Sequence, residues 1–451
     1  MIKSFWNDPV IILYILIGVL VIDKLWSIYL IMREIVVVYH VHEVPEVLRP
    51  YLSGDLFNAM RTYKLHKSWF TIVNMLWMVV ICGCLELYFG FYAYVWELAN
   101  MIAWLRWMKH EVVVSIIFAC IFNLYLLIKS VPGLLYEKYC IVSLVKKQPV
   151  IWYFRILNLL LDAILSFLIF SVVVVTIVFL GLALGNFAFL ALFVLALLAT
   201  SIIILLLPYL IDPVLGKRVP LENQALKLEL EQLTARVGFP MRQVHIIRVR
   251  DPTTGSNAFF YGSCCLKRIV IFDTLLLNRG FRSGFELPPE DVGKGLRDSQ
   301  VVAVVAHELG HWKHGHFYKG LAMFTTQLLL TLLLFGLCFP HGPIYEAVGF
   351  ESGLQPIIVG YLIIFGYVLL PYFTLSNVCM LTVTRHFEYE ADRFAFRLGY
   401  AAALRQALLK LYADNLSFPI TDDCYSIWHH THPPMLRRLA QLEWLERNHR
   451  L

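Results

Sequence analysis

Long apolar runs alternate with two polar blocks along this chain. About 20 apolar residues in a helix cross a bilayer's hydrocarbon core. Runs of that kind occupy 9–32, 69–89, 112–128, 156–180, 187–211, 321–339 and 356–381. They predict seven transmembrane helices. The stretch 156–211 is apolar almost throughout, and it is divided at Gly181 and Gly185, where a tight turn costs least. No small-residue cleavage site follows the first run, which reads as a retained span rather than a signal peptide.

The polar blocks are 212–320 and 382–451. Within the first, the runs 243–249, 258–261 and 268–272 are rich in β-branched and aromatic residues, the pattern of a small sheet or hairpin. A helix is expected from about Asp298 to Tyr318, and the stretch 287–298, with Pro288, Pro289, Gly293 and Gly295, reads as an exposed loop. The second block reads as helices with a break at Pro419 and a turn at Pro433-Pro434. The chain thus divides into 1–211 (spans one to five), 212–320 (a polar segment), 321–381 (spans six and seven) and 382–451 (a second polar segment). No internal repeat or low-complexity tract is present.

Basic residues set an orientation. Arg33, Arg49, Arg61, Lys64 and Lys67 lie between spans one and two, and Lys129, Lys138, Lys146, Lys147 and Arg155 between three and four; nine more follow span seven, from Arg385 to Arg450. The alternate segments hold Lys3, then Arg106 and Lys109, then none in 340–355. Cytoplasmic loops carry the excess of Lys and Arg. The bias therefore expects a lumenal or outside N-terminus, with both polar blocks in the cytosol, where they can form one domain.

Composition agrees: 59% of the 451 residues are hydrophobic and 16% charged, against about 25% charged in soluble domains. This excludes a soluble globular enzyme and a disordered chain. The formal charge of +6 comes without a dense basic stripe, so nucleic acid is not an expected partner. Nine cysteines, an odd number without regular spacing, read as reduced thiols rather than a disulfide framework.

The strongest chemical signal is His307-Glu308-Leu309-Gly310-His311. Residues four apart share a helix face, so both imidazoles can reach one metal, and zinc accepts such nitrogens. Glu308 is the candidate general base toward a water. A zinc protease needs a third protein ligand. The candidate is Glu388, in His386-Phe387-Glu388-Tyr389-Glu390-Ala391-Asp392, beyond two spans. Asp392, one turn on, can accept the other N–H of a metal-binding His and fix its tautomer.

His314 and His316 read as solvated side chains, and Cys264-Cys265 as structural. Of His429, His430 and His432, one held near the metal could stabilise an oxyanion; a structural role is equally open. Arg438 either pairs with buried carboxylates or faces water. Asn257 opens a strand whose edge could hold an extended peptide. Asp23, Lys24, Glu86 and Asp162 fall inside spans, where charge is expensive. Asp23 and Lys24 can pair locally, and Glu86 with Asp162 hints at a wet interior cavity.

Together these residues resemble the type I CAAX prenyl proteases, integral membrane gluzincins. The likeness runs through 51–70, with Arg61-Thr62-Tyr63-Lys64-Leu65-His66-Lys67-Ser68; through 256–276, with Asn257-Ala258-Phe259-Phe260-Tyr261-Gly262; and through 304–316, 385–399 and 428–439, with His432-Pro433-Pro434. The resemblance implies an all-α membrane protein: seven transmembrane helices around an intramembrane chamber, with a cytosolic zincin-type domain containing a small β element. It implies one zinc ion held by His307, His311 and Glu388, Glu308 as general base, Asn257 holding substrate and His432 aiding the oxyanion. The implied substrates are isoprenylated CAAX proteins, cut after the modified cysteine to release three residues. The implied locations are the endoplasmic reticulum and inner nuclear membranes.

The sequence departs from the family pattern at Glu390, where Gln is typical, at Cys264-Cys265, and in the length of 278–298. Three rival readings make different demands on the sequence. A site-2-type intramembrane protease would bury its motif in a span, but Lys313, His314, His316 and Lys319 follow this one. A membrane quality-control zinc protease would need fewer spans. A non-catalytic scaffold of the same fold would have lost Glu308 or a ligand.

Overall fold

The computed structural model describes residues 6–105, 110–137, 140, 152–249, 255–262, 267–280 and 291–448. Lys3, Arg106, Lys109, Lys138, Lys146, Lys147, Cys264, Cys265, the stretch 281–290 and Arg450 lie outside them, as do the side chains of Arg155 and Asp162. The chain forms two compact units. One comprises Met1–Val36, Thr62–Leu197 and Thr326–Asn377, the other Val37–Arg61, Leu198–Thr325 and Val378–Leu451.

The first unit is built from apolar helices. Among the described residues of the whole chain, six helices are long and apolar enough to span a membrane: Pro9–His40, Gly54–Tyr88, Glu111–Tyr136, Ile164–Leu184, Ala188–Leu206 and His316–Cys338. A seventh span is made if the pair Ile357–Val368 and Leu370–Arg397, bent by 58°, counts as one. The second helix starts 15 residues before the expected 69–89, because its charged first turns stay helical where the apolar run has not yet begun. A helix at Phe91–Leu105 was not expected from the sequence. At 15 residues it is too short to read as a span, and Trp96 packs on Phe118, ring centroids 5.9 Å apart.

The long apolar stretch breaks at Gly185–Phe187, a single 3₁₀ turn in which Gly185 has φ +51°. Gly181 does not turn. It stays in the helix, and a Cβ there would sit 2.9 Å from Ile357 Cδ1, so it serves close packing.

The ionisable residues at depth are paired, as the expense of a lone charge requires. Glu86 is buried and accepts from Tyr125 Oη at 2.6 Å and from Lys129 Nζ. It therefore belongs to a polar cluster with Tyr125 and Lys129; the Asp162 side chain, paired with it in the sequence expectation, lies outside the described residues. Asp23 pairs with Lys24 at 2.8 Å, and Glu34 with Lys64 at 3.1 Å. The seven cysteines among the described residues are free thiols.

The second unit holds a four-stranded sheet: β1 (Gly216–Val219), β2 (Val244–Val249), β3 (Ala258–Tyr261) and β4 (Arg268–Phe272), in the order β1-β2-β4-β3. The pair β2–β4 is parallel, and β1–β2 and β3–β4 are antiparallel. The short polar β1 carried no apolar alternation and was missed in the sequence. Helices α1 (Gln224–Val237), α2 (Asp298–Lys313), α3 (Leu370–Arg397), α4 (Ala401–Asp414), α5 (Asp423–His429) and α6 (Met435–Asn448) complete the parts that matter below. Leu230, Ile269, Ile271, Val305, Ala395, Leu404 and Leu442 share one buried core.

The helix expected over 298–318 ends at Lys313. Gly315, at φ +65°, takes the left-handed conformation that terminates helices, and a new helix starts at His316. Leu296, expected in an exposed loop, is buried, because its backbone pairs with Leu275 and Leu277 at 2.8 and 3.0 Å.

Candidate metal centre

Helix α2 begins with a cap in which Gln300 Oε1 accepts from Arg297 N–H at 3.0 Å. Its Val301-Val302-Ala303-Val304-Val305-Ala306 run is buried, and this pins the register of everything that follows. His307, on the next turn, is buried, with His311 on the same face one turn later.

Helix α3 crosses α2 at close range. A Cβ on Gly310 would lie 2.9 Å from Ala391 Cα and 3.1 Å from Phe394 Cβ, so only glycine admits this approach. Gly310→Ala is therefore expected to force the helices apart. Thermal unfolding of the purified variant should show a loss of about 1–3 kcal/mol, with weaker metal binding. Wild-type melting together with wild-type metal affinity would show that the crossing has slack.

That crossing brings Glu388 to the histidines. His307 Nε2 lies 3.2 Å from His311 Nε2, 3.6 Å from Glu388 Oε2 and, for His311 Nε2, the distance to Glu388 Oε1 is 3.4 Å. One ligand atom from each of the three fits within a 4.8 Å cluster. Ligands about 2.0–2.1 Å from a tetrahedral zinc stand about 3.3–3.4 Å apart. Two imidazoles and a carboxylate form a donor set that holds zinc with one position open. Glu388 Oε2 is buried without a hydrogen bond of good geometry, although His432 Nδ1 lies 3.0 Å from it. These residues fit a single metal ion.

The remaining faces of the site are engaged by polar groups. Asp392 Oδ1 lies 2.9 Å from His307 Nδ1. Arg438, on α6, donates to both Asp392 oxygens at 2.7 and 2.8 Å, and its Nη1 lies 3.5 Å from Glu388 Oε2. Of the two readings left open for Arg438, the buried one is what the structure shows. Glu308 Oε2 accepts the Phe260 N–H of β3 at 3.0 Å, so the edge strand runs beside the carboxylate. Asn257, Glu308, His432 and the three candidate ligands line one cavity of about 370 Å³. His429 instead packs on Tyr425, at 4.5 Å, and the His430 carbonyl accepts from Arg385 at 3.1 Å.

Charge in the site follows burial and pairing. Burial pushes Glu308 up to about 7; the Glu388 charge adds to this and His307 opposes it. For His307 burial works against the charged form, but hydrogen bonds to Asp392 and Glu388 outweigh it and hold the ring at about 10. Burial and the neighbouring His307 charge push His311 down to about 3.

The structure corrects one reading outright. His316 is not solvated: it is buried, with Nδ1 2.9 Å from His311 Nδ1 and Nε2 2.9 Å from Glu390 Oε2. His314 is half-buried and stacks on it at 5.7 Å. The turn at Gly315 causes this, because it swings His316 back toward α2 instead of letting it continue the helix outward. The hint in the sequence is Gly315, the residue immediately before His316.

Comparison with known proteins agrees with this geometry. Residues 220–446 match the model of peptidase family M48, and residues 34–217 match that of the CAAX prenyl protease N-terminal region with five membrane helices. Similar proteins include the CAAX prenyl protease 1 homologs of Homo sapiens, 30% identical with 94% of each chain covered, and of Arabidopsis thaliana, 29% identical with 95% of this chain and 96% of that one. The fold is similar to that in the crystal structure of S. mikatae Ste24p, with TM-score 0.77 and 24% identity over 96% of this chain and 98% of that chain. A motif helix, a carboxylate helix and an apolar helical unit thus occur together in one chain that belongs to peptidase family M48, as a multi-pass membrane metalloprotease of the CAAX prenyl protease type.

Proposed function

We propose that this metalloprotease uses zinc held by His307, His311 and Glu388 to hydrolyse the peptide bond after an isoprenylated cysteine, releasing the C-terminal tripeptide of CAAX proteins. The observation that carries the reading is the Glu308 carboxylate, fixed between the three-ligand cluster and an edge strand. The names of the relatives supply the substrate class. When bound, the metal supplies Lewis acidity and a water that ionises near neutral pH.

The chain's own groups do the rest. The Phe260 N–H holds one Glu308 oxygen at 3.0 Å. Glu308 takes a proton from the attacking water and returns it to the departing amine, so the carboxylate is regenerated each turnover. Burial raises the Glu308 carboxyl from its ordinary range, the direction that lets one group both take and return a proton. His432 Nδ1 faces the acceptor-only Glu388 carboxylate, so His432 donates to the oxyanion of the tetrahedral intermediate through Nε2 as its imidazolium, which carries an N–H on both nitrogens. The substrate backbone adds along β3, with Asn257 hydrogen-bonding one end. Asp392 and Arg438 hold His307 and Glu388 in place. The excess of basic residues in alternate loops supports a lumenal N-terminus with the catalytic groups in the cytosol, at the endoplasmic reticulum and the inner nuclear membrane continuous with it.

The test uses purified full-length protein with a farnesylated CAAX peptide and its unprenylated twin. Tripeptide release, resolved by mass, is expected from the prenylated peptide alone. It should vanish with a chelator and return with added zinc. No release by the metal-replete protein, or equal release from both peptides, would overturn the substrate assignment.

A further inference from the structure

Each candidate imidazole ligand offers one nitrogen to the metal side, and its other nitrogen needs a partner to fix the tautomer. For His307 that partner is direct: Asp392 at 2.9 Å, itself clamped by Arg438. For His311 no carboxylate is the immediate partner; its Nδ1 meets the Nδ1 of His316 at 2.9 Å.

Two imidazole nitrogens at that distance hydrogen-bond only if one is protonated and the other is not. Glu390 decides which. Its carboxylate only accepts, so the His316 Nε2 beside it, at 2.9 Å, is the donor. A neutral imidazole carries one N–H, which leaves His316 Nδ1 as an acceptor. The proton between the two rings therefore belongs to His311 Nδ1, and the lone pair of His311 stands on Nε2. That atom is the one facing His307 Nε2 and Glu388 Oε1, at 3.2 and 3.4 Å.

The relay is held rigidly. The Phe387 ring stacks on His316, centroids 4.3 Å apart and planes 9° from parallel. Lys319 Nζ stands 3.6 Å from Glu390 Oε2, and His386 Nε2 3.7 Å from Oε1. Glu390 lies on the same helix as Glu388, two residues on, so one helix supplies both a candidate ligand and the far end of the relay.

We infer that His316 and Glu390 are positioning residues of the metal site, setting the tautomer and ring orientation of His311 through a carboxylate–imidazole–imidazole chain. The inference rests on the proposal that His307, His311 and Glu388 hold the metal. It also gives Glu390 a task that its hydrogen-bond acceptor performs and its charge alone does not.

The experiment measures zinc affinity of the detergent-purified full-length protein by competition with a chromophoric chelator. The visible bands of the cobalt-loaded protein and the kcat and KM at saturating zinc accompany it. His316→Ala should weaken zinc about 10–100-fold, the usual cost of losing such a partner, shift the cobalt bands, and lower kcat with KM unchanged. Glu390→Ala should move the same readouts in the same direction. Glu390→Gln, whose amide oxygen still accepts the Nε2–H, should stay near wild type. His316→Asn, whose carbonyl replaces the Nδ1 acceptor, should recover part of the loss. If His316→Ala does not fold, the Glu390→Ala and Glu390→Gln pair decides. Wild-type affinity and cobalt bands in both alanine variants overturn the inference. Glu388→Ala separates the two readings: unchanged zinc affinity there overturns the ligand assignment itself, whereas loss of zinc in Glu388→Ala beside intact binding in His316→Ala and Glu390→Ala overturns the relay alone.

Discussion

Glu308→Gln should lower kcat/KM on a prenylated peptide by about 10²–10⁴, with zinc content unchanged. The replacement is nearly isosteric. The amide oxygen can still accept from Phe260 N–H, which Glu308 does at 3.0 Å, so the strand beside the site keeps its anchor. What disappears is the proton acceptor. The loss corresponds to about 3–5 kcal/mol of transition-state stabilisation, carried by kcat rather than KM, since no ground-state contact is removed. Turnover equal to wild type would eliminate Glu308 as the base. A fall in zinc content would show that its role is structural.

Arg438→Met should destabilise the fold by about 3–5 kcal/mol, because it strips the counter-charge from a buried carboxylate. Asp392 has no exposed surface, and Arg438 is 8% exposed. The guanidinium donates to both Asp392 oxygens at 2.7 and 2.8 Å, a planar two-point contact that Lys cannot reproduce. In the variant Asp392 keeps, among the described residues, the His307 contact at 2.9 Å, and Glu388 loses a neighbouring positive charge. Thermal unfolding in detergent measures the effect. The double variant Arg438→Met with Asp392→Asn should recover much of the loss, since breaking one side of a buried pair costs more than replacing both. A single variant that melts like wild type would mean that water reaches Asp392.

How far these residues were legible follows from the range of the interactions that hold them. Helix geometry is local, so a four-residue spacing was enough to put His307 and His311 on one face. The apolar runs were equally local, and the helices follow them, because an apolar stretch of span length has few other places to go. Glu388 stands out by the acidic residues around it, Glu390 and Asp392, and by its place beyond two further apolar spans. Beyond that, local pattern was silent or misleading. Gly181 and Gly185 look alike in the sequence, yet one turns the chain and the other packs against Ile357. His316 looked like an extension of a solvated face until the left-handed Gly315 redirected it.

A membrane-spanning helical chain and the i, i+4 histidine pair with its adjacent glutamate are legible from local pattern, since both depend on the near neighbours of each residue. Tertiary structure alone decided that Gly310 lets two helices touch, that Arg438 lies buried across Asp392, and that Glu390 addresses His311 through His316. Those partners lie as far apart as 81, 46 and 74 residues along the chain. Which such residues meet depends on how whole helices pack, and no local spacing encodes that.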